Sequence, residues 1–212
     1  MRLQFLGHAA FDLTLLGVRL CLDPHKPGAL GGRFQLPAIV GPFDALVHTH
    51  WHEDHAAWTP ELGTTLVLDS PQEFRDIEVQ IRPVFHDAVG GTHMGMVRMV
   101  SLTANGLRIV HCGDIGAFDD HDVAWLANTD VLLIPAGGTY TLDGRGAAAL
   151  AVKTGARCVI PMHCADPRVA IALANVQEFG AAWPFALRSM PQLTDADLAT
   201  ISEPTAVVLS AP

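Results

Sequence analysis

Positive charge is scarce in this chain of 212 residues: 13 Lys and Arg face 22 Asp and Glu, a formal net charge of −9. That balance works against long-range attraction to a polyanionic backbone, so DNA and RNA are not expected as bulk partners. Cysteine is sparse too. The four thiols, Cys21, Cys112, Cys158 and Cys164, form no Cys-x-x-Cys pair and no dense framework, which fits reduced thiols rather than disulfides. No apolar run approaches the roughly 20 residues that span a bilayer. The opening Met1–Leu13 is interrupted by Gln4, His8 and Asp12, unlike a signal peptide. A cytoplasmic protein with no membrane partner is the expectation. Also missing are Gly-x-Ser-x-Gly, the signature of a serine nucleophile, and a His-Glu-x-x-His zinc motif, because Ala56 stands where the second histidine would fall.

Apolar residues, at 50%, are enough for a substantial core, and no linker or repeat divides the chain, so one domain over residues 1–212 is expected. Strand-like runs lie at Leu3–Leu6, Phe11–Leu16, Val18–Leu22, Ala45–His48, Thr64–Leu68, Val79–His86, Val97–Leu102 and Leu107–His111. Further runs follow at Val131–Pro135, Cys158–Met162 and Ala206–Leu209. Gly17 and Asn105-Gly106 supply hairpin turns, and Pro24–Pro42 reads as a long Gly/Pro-rich surface loop. Helices are expected after Ser70-Pro71, where Glu73 completes a capping pattern, from Asp143 through Lys153, and from Asp166-Pro167 to Gly180. Strands crowding the first half and alternating with helices in the second indicate an α/β protein, sheet packed on sheet with helices outside.

Histidine is the abundant exception, with 11 residues unevenly spread. The apolar run Ala45-Leu46-Val47 leads directly into His48-Thr49-His50-Trp51-His52-Glu53-Asp54-His55 and then the helix-compatible Ala56-Ala57-Trp58. Residues two apart on extended chain point the same way, so His50 and His52 can converge on one point. If the chain then turns, Asp54 and His55 can face a second point nearby. Imidazole and carboxylate suit zinc and similar ions. The frame His-x-His-x-Asp-His fits only from His50. His48 shares the face, but a packing or supporting role suits it better than ligation.

This cluster resembles that of the metallo-β-lactamase-fold hydrolases, closest to a small cytosolic branch that includes ascorbate-6-phosphate lactonase-like proteins. The similarity extends to Leu6-Gly7-His8-Ala9, Leu22-Asp23-Pro24, Phe85-His86-Asp87, His111-Cys112-Gly113-Asp114, Gly137-Gly138-Thr139-Tyr140-Thr141 and Ile160-Pro161-Met162-His163. The resemblance implies a four-layer αββα sandwich of mixed sheets. It also implies two divalent metal ions, Zn2+ by default, with Mn2+ or Fe2+ consistent. One ion takes His50, His52 and His86; the other takes Asp54, His55 and His163; Asp114 bridges. His86, Asp114 and His163 each follow an apolar run, so strand ends could bring them to one sheet edge. Asp23 is expected to orient a ligating imidazole, and His8 to line the substrate side. The sequence departs from the branch at His93-Met94, Val97-Arg98-Met99 and Cys164-Ala165, which are expected near the pocket rim.

The implied chemistry is hydrolysis of a small ester, lactone or phosphoester by a hydroxide activated between two cations, with Asp54 handling its proton and His8 steadying the oxyanion. The substrate is expected to be a small molecule, anionic if the metal charge attracts it, and the apolar composition allows homo-oligomers. Two alternatives stay open: an iron-dependent redox enzyme resembling persulfide dioxygenases on the same fold, and a non-catalytic metal-binding protein.

Overall fold

Short hairpins start the chain. In the computed structural model, which describes residues 1–211, β1 (Arg2–Gly7), β2 (Ala10–Leu15) and β3 (Val18–Leu22) form an antiparallel meander. Leu16 and Gly17, at φ 53° and 81°, make the two-residue turn whose twist matches the flanking strands. β4 (Ala45–Val47) lies parallel to β3, and β12 (Leu193–Thr194) closes the opposite edge, giving a five-stranded sheet ordered β12-β1-β2-β3-β4.

The second sheet has eight strands. Its antiparallel half runs through β5 (Gln72–Phe74), β6 (Ile77–Phe85), β7 (Met96–Ala104) and β8 (Leu107–His111). Its parallel half adds β9 (Val131–Pro135), β10 (Cys158–Met162), β13 (Thr205–Leu209) and β11 (Ala186–Met190) in that spatial order. Parallel strands need crossovers, and α2 (Asp120–Leu126), α3 (Gly144–Thr154) and α4 (Val176–Ala182) supply them. The helices α1 (Ala29–Gly32) and α5 (Asp195–Ala199) are one-turn pieces.

Packing explains the layers. Leu3, Phe11, Leu13 and Leu20 of the small sheet meet Leu102, Ile109, Leu133 and Ile160 of the large one in a shared core. The far face of the large sheet, carrying Val110, Leu132 and Ile134, is covered by Ala147, Leu150 and Phe179 of the helices. The αββα sandwich is thus present. Over the small sheet its outer layer is thin: Cys21 and Leu46 are covered by Ile39, Phe43 and Leu62 from loops and the 3-10 turn Pro60–Leu62. Among the described residues no helix is long and apolar enough to cross a membrane.

Several local expectations are corrected. Ser70-Pro71 opens no helix; Gln72–Phe74 pairs with β6 across a tight turn in which Arg75 and Asp76 both have positive φ. Thr64–Leu68 contributes only a bridge between Val67 and Leu46. The segment from Asp166 is not helical, because its backbone pairs with the 24–42 loop through Val169 and Phe34; the helix begins only at Val176, capped by Asn175. Residues 56–58 form no helix. The Pro24–Pro42 loop, far from being merely superficial, buries Ala29, Phe34, Leu36 and Ile39. α2 and α5, unanticipated, each begin with a capping box, from Asp119 and Thr194.

Candidate metal centre

Connectivity delivers the polar side chains to one edge. His8, Asp23, Thr49, His86, Asp114 and His163 all lie just beyond the C-terminal ends of strands: β1, β3, β4, β6, β8 and β10. Three leave their strands in the left-handed conformation, at φ 57° for His8, 42° for Asp23 and 53° for His163. Non-glycine residues rarely hold that geometry, and its concentration here marks backbone bent to aim side chains rather than to extend the sheet.

Around this edge the histidines fall into overlapping groups. His50 Nε2 lies 3.0 Å from His52 Nδ1, and His86 Nε2 lies 3.3 Å from that same nitrogen. His8, Asp54, His55 and His163 form a second group whose donor atoms lie within 4.8 Å of one another. Asp114 stands between: its Oδ2 is 3.2 Å from His163 Nε2, 3.3 Å from His55 Nε2, 3.7 Å from His86 Nε2 and 3.9 Å from His50 Nε2. All the residues named in the sequence reading as metal-facing are therefore brought together.

Hydrogen bonds behind the rings fix their orientation. Asp23, fully buried, accepts from the Thr49 N–H at 2.7 Å, the Thr49 hydroxyl at 2.6 Å and His55 Nδ1 at 2.8 Å. Since the Thr49 hydroxyl donates to Asp23, it accepts from His50 Nδ1 at 3.0 Å. His86 Nδ1 donates to the Tyr140 carbonyl at 3.0 Å. With their Nδ1 atoms so committed, His50, His55 and His86 turn Nε2 inward. One proton on His52 Nδ1 can satisfy only one of the two nitrogens facing it.

That arrangement fits a cation. Three nitrogens at about 2.0–2.1 Å from one tetrahedral ion lie about 3.3 Å apart, close to the separations here. His55 Nε2 and Asp114 Oδ1 are buried with no hydrogen-bond partner, a costly state for polar atoms that a metal would relieve. The electrostatics agree. Burial resists ionisation of Asp114, but His163 and His55 outweigh it and hold the carboxyl well below the usual range. Asp54 is likewise opposed by burial and held low by His55 and by its hydrogen bond to His8. Burial, with His55 nearby, pushes His50 down to about 3, and burial with His163 does the same for His8. His8 and His50 are thus held neutral and the carboxylates charged, as metal binding requires, whereas Asp114 and Asp54 raise His55, whose proton a metal would displace.

Residues 2–163, from β1 to the last of these histidines, match the family model described as the beta-lactamase superfamily domain. The chain belongs to the metallo-β-lactamase superfamily. Within this superfamily it is 30% identical over 193 residues to a UPF0173 metal-dependent hydrolase from Pyrobaculum neutrophilum, covering 77% of this chain and 84% of the relative. A homologue of the same description from Caldivirga maquilingensis is 29% identical over 194 residues, covering 76% and 81%. The crystal structure of a superfamily member from Thermotoga maritima covers 100% of this chain and 99% of its own, with a TM-score of 0.77 and 24% identity.

Other expectations fare unevenly. His8 Nε2 approaches Asp54 Oδ2 at 3.2 Å, so His8 abuts the cluster, but it is buried and does not line the cavity over it, where it was expected. His48 is buried with its ring edge-on to Trp51 and stands outside the groups of converging donors. His111 is structural: its Nδ1 accepts from the Gly113 N–H and its Nε2 donates to the Ala9 carbonyl. Of the departures from the branch pattern, Met94 does line the cavity over the cluster, whereas Arg98 is spent on the carbonyls of His48, Thr49 and Asp69. Thr49 and the Tyr140 carbonyl were missed as supports. Thr49 had a local signal, since it sits between two histidines of the motif; the carbonyl had none.

Proposed function

We propose that this chain is a hydrolase with a dinuclear metal site, acting on a small ester, lactone or phosphoester. The observation that carries the reading is Asp114 Oδ2, set among the inward nitrogens of His50, His55, His86 and His163. In this reading His50, His52 and His86 hold one divalent ion and Asp54, His55 and His163 the other, with Asp114 shared. Histidine and carboxylate donors favour Zn2+, and Mn2+ or Fe2+ would also be accepted. A bound pair would supply positive charge that lowers the pKa of water from about 15.7 towards ~7 and polarises a carbonyl or phosphoryl group.

The remaining work falls to the protein. Asp54, ionised and lining the cavity, can take a proton from attacking water, while His8, whose Nε2–H donates to Asp54 Oδ2 at 3.2 Å, holds that carboxylate in place. Asp54, which lines the cavity where His8 does not, can then return that proton to the leaving group. Asp23 keeps His55 in the tautomer that turns Nε2 inward. The cavity over the cluster, about 290 Å3, lies at the small end of ligand sites and favours a small molecule over a polymer. The acidic charge of −9 also argues against nucleic acid.

Elemental analysis of the purified full chain, joined to turnover of lactone, ester and phosphoester panels, tests this. About two equivalents of transition metal and hydrolysis of at least one class are expected, with loss of both in His50→Ala and Asp114→Asn. Bound iron with persulfide-dependent oxygen uptake, or no transition-metal binding, would overturn the reading.

A further inference from the structure

The rim of the cavity carries one cation. Arg33 lines the space above His52, His86 and His163, and among the described residues its side chain makes no hydrogen bond or ion pair. It is the only basic side chain in that lining other than the histidines. The acidic residue sharing the rim, Glu53, is already engaged: its Oε2 accepts from the Leu30 N–H at 2.8 Å and its Oε1 lies 3.1 Å from Lys26 Nζ. Glu53 is thus spent, and the other carboxylates of the lining, Asp54 and Asp114, are engaged among the histidines.

Its backbone is fixed. The Arg33 carbonyl accepts from the Ala170 N–H at 2.8 Å, and the next residue, Phe34, pairs with Val169. The Gln35 N–H donates to the Arg168 carbonyl at 2.7 Å, and the buried Phe34 ring packs edge-on to His8 at 4.8 Å. A guanidinium carried on so anchored a stretch is restricted in where it can reach, and its planar fork matches the two oxygens of a carboxylate or phosphate. Around it the walls are apolar, from Leu30, Met94 and Ile171.

From this we infer that Arg33 is a specificity-determining residue that receives an oxyanion group, carboxylate or phosphate, at the end of the substrate away from the scissile bond. The apolar body of that substrate lies against Leu30, Met94 and Ile171. The inference rests on the hydrolase reading for what happens to the molecule, but not for its capture.

Binding and turnover separate the two. On the metal-free full chain, benzoate, phenyl phosphate and the neutral benzyl alcohol are titrated by NMR, so that no metal charge contributes. Wild type is expected to bind one or both anions about tenfold or more tighter than the alcohol, and Arg33→Ala to erase that preference. The stronger anion identifies the substrate's group. Arg33→Lys, which keeps the charge but not the fork, should recover only part of it. On the metal-loaded chain, the ratio of kcat/KM for a carboxylated lactone or ester to that for its neutral counterpart should fall about tenfold in Arg33→Ala. Unchanged anion preference in a folded Arg33→Ala protein overturns the inference and leaves hydrolysis standing. Retained preference for anions with no turnover of any panel overturns the hydrolase reading alone.

Discussion

At the scale of single residues, the site depends on groups that never touch substrate. Asp23 shows how. Its two oxygens accept from three donors, one of them His55 Nδ1. Asp23→Asn preserves shape but sets an amide N–H2 against either the Thr49 N–H or the pair formed by the Thr49 hydroxyl and His55 Nδ1. In the arrangement that keeps the Thr49 N–H bond, His55 must shed its Nδ1 proton and turn a protonated Nε2 towards Asp114. Metal affinity is expected to fall about 10- to 100-fold, read by competition with a chromophoric chelator. Affinity equal to wild type would show that Asp23 does not orient the site. Gly137 acts by its emptiness: a Cβ there would lie 2.0 Å from the His163 carbonyl oxygen, a backbone atom that no rotamer change can move aside. Gly137→Ala should therefore cost about 1–3 kcal/mol, lower Tm by roughly 3–10 °C in a calorimetric scan, and weaken metal retention by shifting His163. The 50–55 cluster was legible because chemistry and spacing share one short stretch. His86, Asp114 and His163 were legible only through resemblance, since a strand-end histidine or aspartate looks alike whether it caps, packs or ligates. Arg33 had no signal at all, because its place above the cluster is created by the pairing of its neighbour Phe34 with distant Val169.

Among elements, success followed periodicity and failure followed tertiary pairing. The hairpin strands lie within a residue or two of where their apolar runs place them. Gln72–Phe74 was misread because Ser70-Pro71 and Glu73 imitate a helix start, while the actual turn uses Arg75-Asp76 at φ 50° and 64° instead of the usual Asn-Gly. The 166–175 stretch had helical spacing, yet its Arg168 carbonyl and Ala170 N–H bond the 24–42 loop and Ala174 bonds Ala165 and Gly137. The loop after β6 makes a testable unit. Asp87 Oδ1 accepts from the Val89 and Gly91 N–H groups, and Oδ2 from those of His93 and Met94, at 2.8–2.9 Å. Those bonds, the Met94 N–H foremost, hold its carboxyl down to about 2. The order of the loop should therefore persist as pH falls through ~4 and fade only towards about 2. Asp87→Asn keeps one accepting oxygen and loses the other. Hydrogen exchange should then speed up at one pair of amides, His93 and Met94 or Val89 and Gly91, while the other pair stays protected. Uniform protection in the variant would mean that loop packing, not the carboxylate, orders Met94 over the cavity.

For the molecule as a whole, the metal site should dictate how stability responds to pH, and in opposite senses with and without metal. Without metal, His8 and His50 are held at about 3 and His25 at about 4, chiefly by burial, so they stay neutral in the fold while the unfolded chain protonates them below ~6.5. The unfolded state then binds more protons, and stability rises as pH climbs from about 4 to ~6.5. His55 works the other way. Burial pulls it down, but Asp114 and Asp54 overcome that and raise it well above the ordinary value, so the folded state keeps a proton that the unfolded chain has released above ~6.5. From there stability falls with rising pH. The chelator-stripped chain should thus show a maximum in Tm near pH ~6.5. A bound cation replaces that proton between the carboxylates, releases it on binding, and binds more tightly as pH rises. Metal-loaded protein should accordingly gain on the stripped form across pH 6.5–9, adding about 2.7 kcal/mol once free metal reaches 100 times Kd. Paired calorimetric scans over pH 4–9, with Zn2+ and with chelator, give both curves. A stripped protein whose Tm keeps climbing above neutrality would mean that His55 does not carry the proton standing in for the metal.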